Sequence, residues 1–420
     1  MTTSTHPFFE PPDRTPPQAC PAAATGRTSL HGAEFAADPD AVYAELRRYG
    51  PAAAVELAPG VNATLVTSYH AALKVLRSTQ TFVKDARHWR AMARGEVRID
   101  NQVAPMMAYR PNCSYADGTE HVRLRAALTD SFDRIDLHEL QHYVEAGADL
   151  LIDRFAPTGR ADLLADYAKQ LPLLVFRKLF GIPTGLGERM TAAMAAIFDG
   201  NHAKQALDEL TSTWIDLLAH KRRHPGADIT SWVIAHPARL TEQETISNLN
   251  FVLGASTQPQ QNLIANALML LLTDDRFAGD LTGGSLPVED SLDEVLWTTY
   301  TPMANYAVHY PLHDVSLDGV LLREGEPVVV SFAAANTDPA LPRGRHSGNR
   351  AHLAWSAGPH GCPARGIARL IATVAIERLL DRLPDLELAV PAQNLSWRPG
   401  PFHRALNALP VRFPSIALRN

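Results

Sequence analysis

The sequence predicts a mainly α fold with small β-sheets. Two patterns carry this. Ten segments place apolar residues three and four apart, the spacing of one helix face, while only five short runs are rich in β-branched residues and bounded by Gly and Pro. No period of 20 to 50 residues recurs and no flexible linker divides the chain, so a Pro-rich tail over residues 1–30 and a single domain over 31–420 are expected.

The helical segments are Asp38–Tyr49, Ser68–Arg77, His121–Phe132, Leu137–Phe155, Tyr167–Phe180, Leu186–Phe198, Lys204–His220, Glu242–Leu272, Leu292–Thr299 and Ala364–Leu383. The strand candidates are Ala52–Leu57, Ala63–Val66, Val328–Phe332, Leu386–Val390 and Val411–Phe413, enough for two small sheets. The stretch Arg87–Asn112 mixes Trp89, Met106 and Met107 with charges, which suits either a cover over a ligand site or an ordinary surface loop.

Composition removes several function classes. With 39 basic against 45 acidic side chains and a net charge of −6 over 420 residues, the chain has no concentrated basic face for nucleic acid. The tail from Met1 to Arg27 carries six prolines and no apolar centre of a signal peptide or anchor. The most apolar stretch, Leu249–Leu272, is interrupted by Ser256, Gln258, Pro259, Gln260, Gln261 and Asn262, which hydrocarbon would penalise. Cys20, Cys113 and Cys362 are too few for a disulfide framework or a zinc site, so a cytoplasmic protein is expected and any functional cysteine acts alone.

The segment from Trp355 to Ala364, W-S-A-G-P-H-G-C-P-A, sets Cys362 in a Gly/Pro-rich turn ahead of a helix. Amide N–H groups and the helix dipole there favour a thiolate, either metal ligand or nucleophile; a small buried cysteine packing as an apolar group is the plain alternative. One cysteine cannot hold zinc or an iron–sulfur cluster by itself, whereas haem needs a single axial protein ligand.

The loop resembles the cysteine-ligand signature of cytochromes P-450, F-x-x-G-x-x-x-C-x-G, with Trp355 at the aromatic position, Gly358 and Cys362 matching, and Ala364 where glycine is usual. The resemblance runs from about Gly32 to Phe413. It implies the cytochrome P-450 fold, about a dozen helices around a buried haem b whose iron Cys362 ligates. It also implies that His121 and Arg125, four apart on one helix face, hold a haem propionate together with His360, and with His309 in place of the usual arginine. By the same resemblance the chain is a haem-thiolate monooxygenase that oxidises a small organic substrate with electrons from a ferredoxin and its reductase, acting as a monomer without membrane or nucleic acid.

Three departures from the family pattern stand out. The distal helix carries Ala255-Ser256-Thr257-Gln258-Pro259 where an acid and an alcohol are usual, so neither Gln258 nor Pro259 delivers a proton, and Thr257 or Ser256 would have to act through water. Ala255 and Ser256 leave room for oxygen, and Pro259 suits a helix already kinked there. Trp297 replaces the arginine of E-x-x-R, as in an actinobacterial subgroup, leaving Glu294 to find a partner among Arg343, Arg345, His346 and Arg350. Pro363 removes one amide donor beside the sulfur. With the proton relay absent, peroxide-driven oxidation, radical coupling and a non-catalytic haem-binding regulatory role are the rival readings.

Overall fold

The structure, a computed structural model, describes residues 26–416 except 199–202, 275, 277–287, 343 and 345. The tail, Cys20, Arg343 and Arg345 therefore lie outside the described residues apart from the tail's last few positions. Helices dominate, and several begin at a side chain that satisfies the first free amides. Asp38 caps Pro39–Arg47 by accepting from Ala41 N, and Asp136 caps Leu137–Phe155 by accepting from His138 and Glu139 N. Thr241 and Glu244 close a reciprocal capping box on the longest helix, Glu242–Thr273.

That helix continues through Pro259 without interruption, so the segment is one helix rather than two. It packs on the helix Arg365–Arg382, which in turn packs on Leu137–Phe155, and Leu263, Leu268, Ile371, Ala375, Val144 and Leu151 share the large helical core. The expected helix over Tyr167–Phe180 is in fact a π-helical turn, Leu163–Ala168, followed by an α-helix, Gln170–Leu179. Among the described residues no helix is long and apolar enough to cross a membrane.

The expectation of two small sheets is corrected. One six-stranded sheet orders Thr28–Ser29, Ala52–Ala58, Val61–Val66, Val328–Ser331, Asn305–Pro311 and Phe82–Val83 from edge to edge. A three-stranded sheet joins Glu387–Leu388, Pro410–Arg412 and Arg160–Asp162, and the hairpin Val315–Leu317 with Val320–Leu322 stands apart. Its turn is Asp318-Gly319, both at positive φ, the backbone a two-residue hairpin turn requires.

The strand Asn305–Pro311 is the element that positions the site. It pairs antiparallel with Val328–Ser331 on one side and with Phe82–Val83 on the other, where Val83 faces Tyr310. The stretch that follows Phe82–Val83 in the chain, Arg87–Asn112, folds into short helical turns. Trp89 and Met107 are buried in the core on that side, with Trp89 6.3 Å from the Tyr310 ring, so these two serve packing.

Candidate functional site

Cys362 lies between two structural constraints. Gly358 adopts φ +69°, and a Cβ there would stand 2.3 Å from Leu76 O, so only glycine lets the loop lie against the helix Tyr69–Arg77. Gly361 N then donates to Gly358 O at 3.0 Å and Cys362 N to Trp355 O at 2.8 Å, closing the loop on itself. Ala364 has φ −103°, open to any L-residue, which explains why alanine serves where the signature has glycine.

The expected low thiol pKa is not what the fold alone provides. Burial pushes the Cys362 thiol up, against the Ala364 N–H and the fields of Arg125 and Arg365. The helix end offers one amide, Pro363 offers none, and desolvation of a thiolate outweighs both; a metal cation at the sulfur reverses that balance.

The fold brings the other expected residues to this loop. On the helix Gly118–Phe132, Arg125 Nη2 donates to Gly361 O and its Nε to Thr129 Oγ1, while the His121 ring sits 4.1 Å from the ring of His360. His121 is buried, its Nε2 has no hydrogen-bond partner, and burial with the neighbouring His360 and Arg125 charges takes its pKa down to about 4. Burial likewise lowers His360, partly offset by Asp117, whose Oδ1 stands 3.8 Å from His360 Nε2.

His309 is fully enclosed, and burial together with the Lys84 and His360 charges holds its pKa well below the usual imidazole value. Its Nδ1 faces Ala307 O, which only accepts, so Nδ1 carries the proton. With Nδ1 committed to Ala307 O, the neutral ring turns an acceptor, Nε2, away from Ala307.

Two members of the cluster were not singled out in the sequence. Asp117 accepts from Lys84 N at 2.9 Å and Asp85 N at 3.0 Å; burial opposes its ionisation, yet the nearby His360 and the amide hydrogen bonds hold its carboxyl below the usual range. Lys84 is buried beside it, its pKa pushed down to about 8 by desolvation, with Asp117 opposing. A buried lysine and an aspartate just ahead of a helix carry no sequence signal that separates them from surface charges.

In the distal segment, Thr257 Oγ1 donates to Leu253 O and Ser256 Oγ to Val252 O, both at 2.6 Å, so both hydroxyl protons are engaged with the helix backbone. Gln258 and Pro259 are half-buried and Ala255 is exposed. Proline has no N–H, so Ala255 O lacks the donor that a helix normally supplies four residues on. Gln260 Nε2 donates to Ala368 O at 3.0 Å and ties this stretch to the helix that follows Cys362.

The segment leading into the loop shows how Trp297 serves. Its Nε1 donates to Asn349 O at 2.6 Å and its ring stacks on His346 at 5.1 Å. His346 Nδ1 reaches Glu294 at 3.0 Å and Arg276 reaches it at 3.1 Å, while Arg350 turns to Glu289 instead. The neighbouring Asp293, almost wholly buried, pairs with Arg369 at 2.5 Å and accepts from Gly348 N. Charge pairing survives one residue along, and Asp293 and Arg369 carried no signal that marked them.

No family model matches the chain. A cytochrome P450 monooxygenase, PikC, from Streptomyces venezuelae is 31% identical over 400 residues, covering 91% of this chain and 92% of its own length. The chain belongs to the cytochrome P450 family. The mycinamicin IV hydroxylase/epoxidase of Micromonospora griseorubida is 30% identical over 88% of this P450. Among solved structures, CYP154A1 from Streptomyces coelicolor superposes with a TM-score of 0.80 at 30% identity, covering 92% of this P450 and all of that chain.

Membership makes the protein a monooxygenase-type oxidoreductase with haem b as cofactor, acting on small organic molecules with redox partners. The residues present fit that group. A lone soft sulfur would ligate the iron, and beside it lie two buried or half-buried cations, Lys84 and Arg125, and the unpartnered His121 Nε2, suited to the carboxylates on the porphyrin edge.

Proposed function

We propose that this P450 is a cytoplasmic, monomeric haem-thiolate monooxygenase that oxidises a small secondary-metabolite substrate with electrons from a ferredoxin and its reductase. The observation that carries the reading is the convergence of the Cys362 loop with the cluster of His121, Arg125, Asp117 and His360. Relatives named for hydroxylation of a naphthoate and for hydroxylation and epoxidation of a mycinamicin support the substrate class.

When bound, haem b supplies the iron at which dioxygen is reduced and the substrate oxidised. Cys362 would hold the iron through its thiolate, with the Ala364 N–H hydrogen-bonded to the sulfur. Arg125 and His360 would hold the porphyrin carboxylates, His121 Nε2 would meet one as a neutral donor, and Asp117 would orient His360. On the distal side Ala255 leaves space, and Ala255 O, Thr257 and Gln258 order water without supplying a proton from an ionisable side chain.

That last feature favours a second reading, turnover driven by peroxide, which already carries the protons the distal helix does not deliver. The reduced, CO-bound spectrum of wild type and of Cys362→Ser tests the ligand: the thiolate-type band should be present in the first and absent in the second. Product formed per NADH consumed with ferredoxin, set against product formed with hydrogen peroxide, then separates the two oxidants. Tight coupling to NADH supports the monooxygenase, and turnover with peroxide alone supports the second reading.

A further inference from the structure

Lys84 follows the strand Phe82–Val83, and the pairing of Val83 with Tyr310 sets it beside Val308 and His309. Its side chain is buried, and Nζ donates to Val308 O at 2.7 Å. Among the described residues that carbonyl is its only hydrogen-bond acceptor, with the Tyr306 ring 5.5 Å away. An ammonium has three N–H donors, so two find no acceptor among the described residues, and such a group is costly to bury unless an anion faces it.

Asp117 does not fill that role. Its oxygens are engaged by the amides of Lys84 and Asp85 and lie beside His360, and no hydrogen bond joins them to Lys84 Nζ. Lys84 and Arg125 are two cations against one carboxylate, which leaves this buried pocket net positive. His309, its one N–H committed to Ala307 O, offers an anion no donor.

We infer that Lys84 Nζ binds a carboxylate of the haem edge and supplies the positive charge that His309 does not. The inference rests on the reading of Cys362 as the iron ligand. It makes Lys84 a cofactor-binding residue and His309 a neutral neighbour whose place in the strand keeps Val308 O pointed at Nζ.

The test uses the haem-loaded protein and reads the rate at which haem passes to excess apomyoglobin at pH 7. Lys84→Met keeps the aliphatic stem and removes the charge; Lys84→Arg keeps the charge. Each is loaded with native haem and with haem dimethyl ester, whose edge groups carry no charge. Lys84→Met should release native haem about tenfold faster than wild type or more, the effect of a charge-assisted hydrogen bond away from water, and Lys84→Arg should stay within about threefold. All three should release the dimethyl ester at one rate.

An unchanged rate for native haem in Lys84→Met overturns the inference, and so does an equal acceleration with both haems, which would mark a packing defect. If Lys84→Met does not fold, Lys84→Gln makes the same comparison with the same two outcomes. The reduced, CO-bound spectrum of wild type keeps the two readings apart. Absence of the thiolate band overturns the Cys362 reading and this inference with it, whereas its presence alongside unchanged haem release overturns Lys84 alone.

Discussion

Replacing Gly358 by alanine should be among the most damaging single changes near the site. Two costs combine. An L-residue held at φ +69° pays about 1–2 kcal/mol for the left-handed conformation. The new methyl would stand 2.3 Å from Leu76 O and 3.2 Å from Leu76 C, and both belong to the backbone of a packed helix, which cannot rotate aside as a side chain can. Forcing an extra carbon into such a contact adds about 1–3 kcal/mol, so the total is roughly 2–5 kcal/mol. Because Gly358 O receives Gly361 N, the strain is passed to the residue before Cys362.

Denaturant unfolding of the haem-loaded protein measures the loss, and the fraction of thiolate-type CO spectrum measures the displacement of the sulfur. Gly185→Ala is the control: its Cβ meets open space at a negative φ within a helix, and it should be neutral or gain about 0.5–1 kcal/mol. If Gly358→Ala unfolds within about 0.5 kcal/mol of wild type, the combined strain and contact argument is wrong.

Arg369→Met should cost about 3–5 kcal/mol in the same unfolding assay, because it leaves Asp293 buried with only the Gly348 amide, and adding Asp293→Leu should recover most of it. Asp149 is held below its ordinary pKa by hydrogen bonds from Arg378 and Arg382, although burial opposes them. Its folded pKa is depressed, so its contribution is present above the unfolded value of about 3.8 and lost as pH falls through the folded value. Asp149→Asn should therefore lower stability by about 1 kcal/mol at pH 7, and the two melting curves should converge in acid below that value. Gln258→Glu with Pro259→Thr should raise the rate of coupled, oxygen-dependent turnover by about 10²- to 10⁴-fold if proton supply limits it, once CO-binding rates show the groove still open; an unchanged rate and unchanged coupling remove proton supply as the limitation.

The parts of the site that the sequence disclosed are those with a local signature. Cys362 announces itself by the Gly and Pro around it, and His121 with Arg125 by one helical turn of spacing. The long helix through Pro259 was legible because its apolar period persists on both sides of the proline. The six-stranded sheet was hidden, since Thr28–Ser29 and Phe82–Val83 are two residues each and too short for any alternation, and Asn305–Pro311 drew attention only through His309. Lys84 and Asp117 were missed for another reason: a charge becomes informative when it is buried, and burial is decided by strands that pair across hundreds of residues. The partner of Glu294 was half legible. His346 was among the candidates, but its stacking on Trp297, which fixes the imidazole against the carboxylate, is a tertiary contact between Val288–Trp297 and the loop that follows.

The link from Lys84 Nζ to Val308 O spans 224 positions of the chain, and the one from Arg125 to Gly361 spans 236. During synthesis, then, no nascent fragment that ends before the Cys362 loop can offer the cofactor more than scattered cations and imidazoles. Closure of such long loops is slow and must precede the contacts that reward it. Haem capture is thus tied to the emergence of the Cys362 loop, when the strand carrying His309, the strand leading to Lys84 and the sulfur-bearing turn first coexist. A cell that makes this protein faster than it makes haem would accumulate finished chains awaiting cofactor rather than half-made ones already loaded, and abundance of the active form would follow the haem supply.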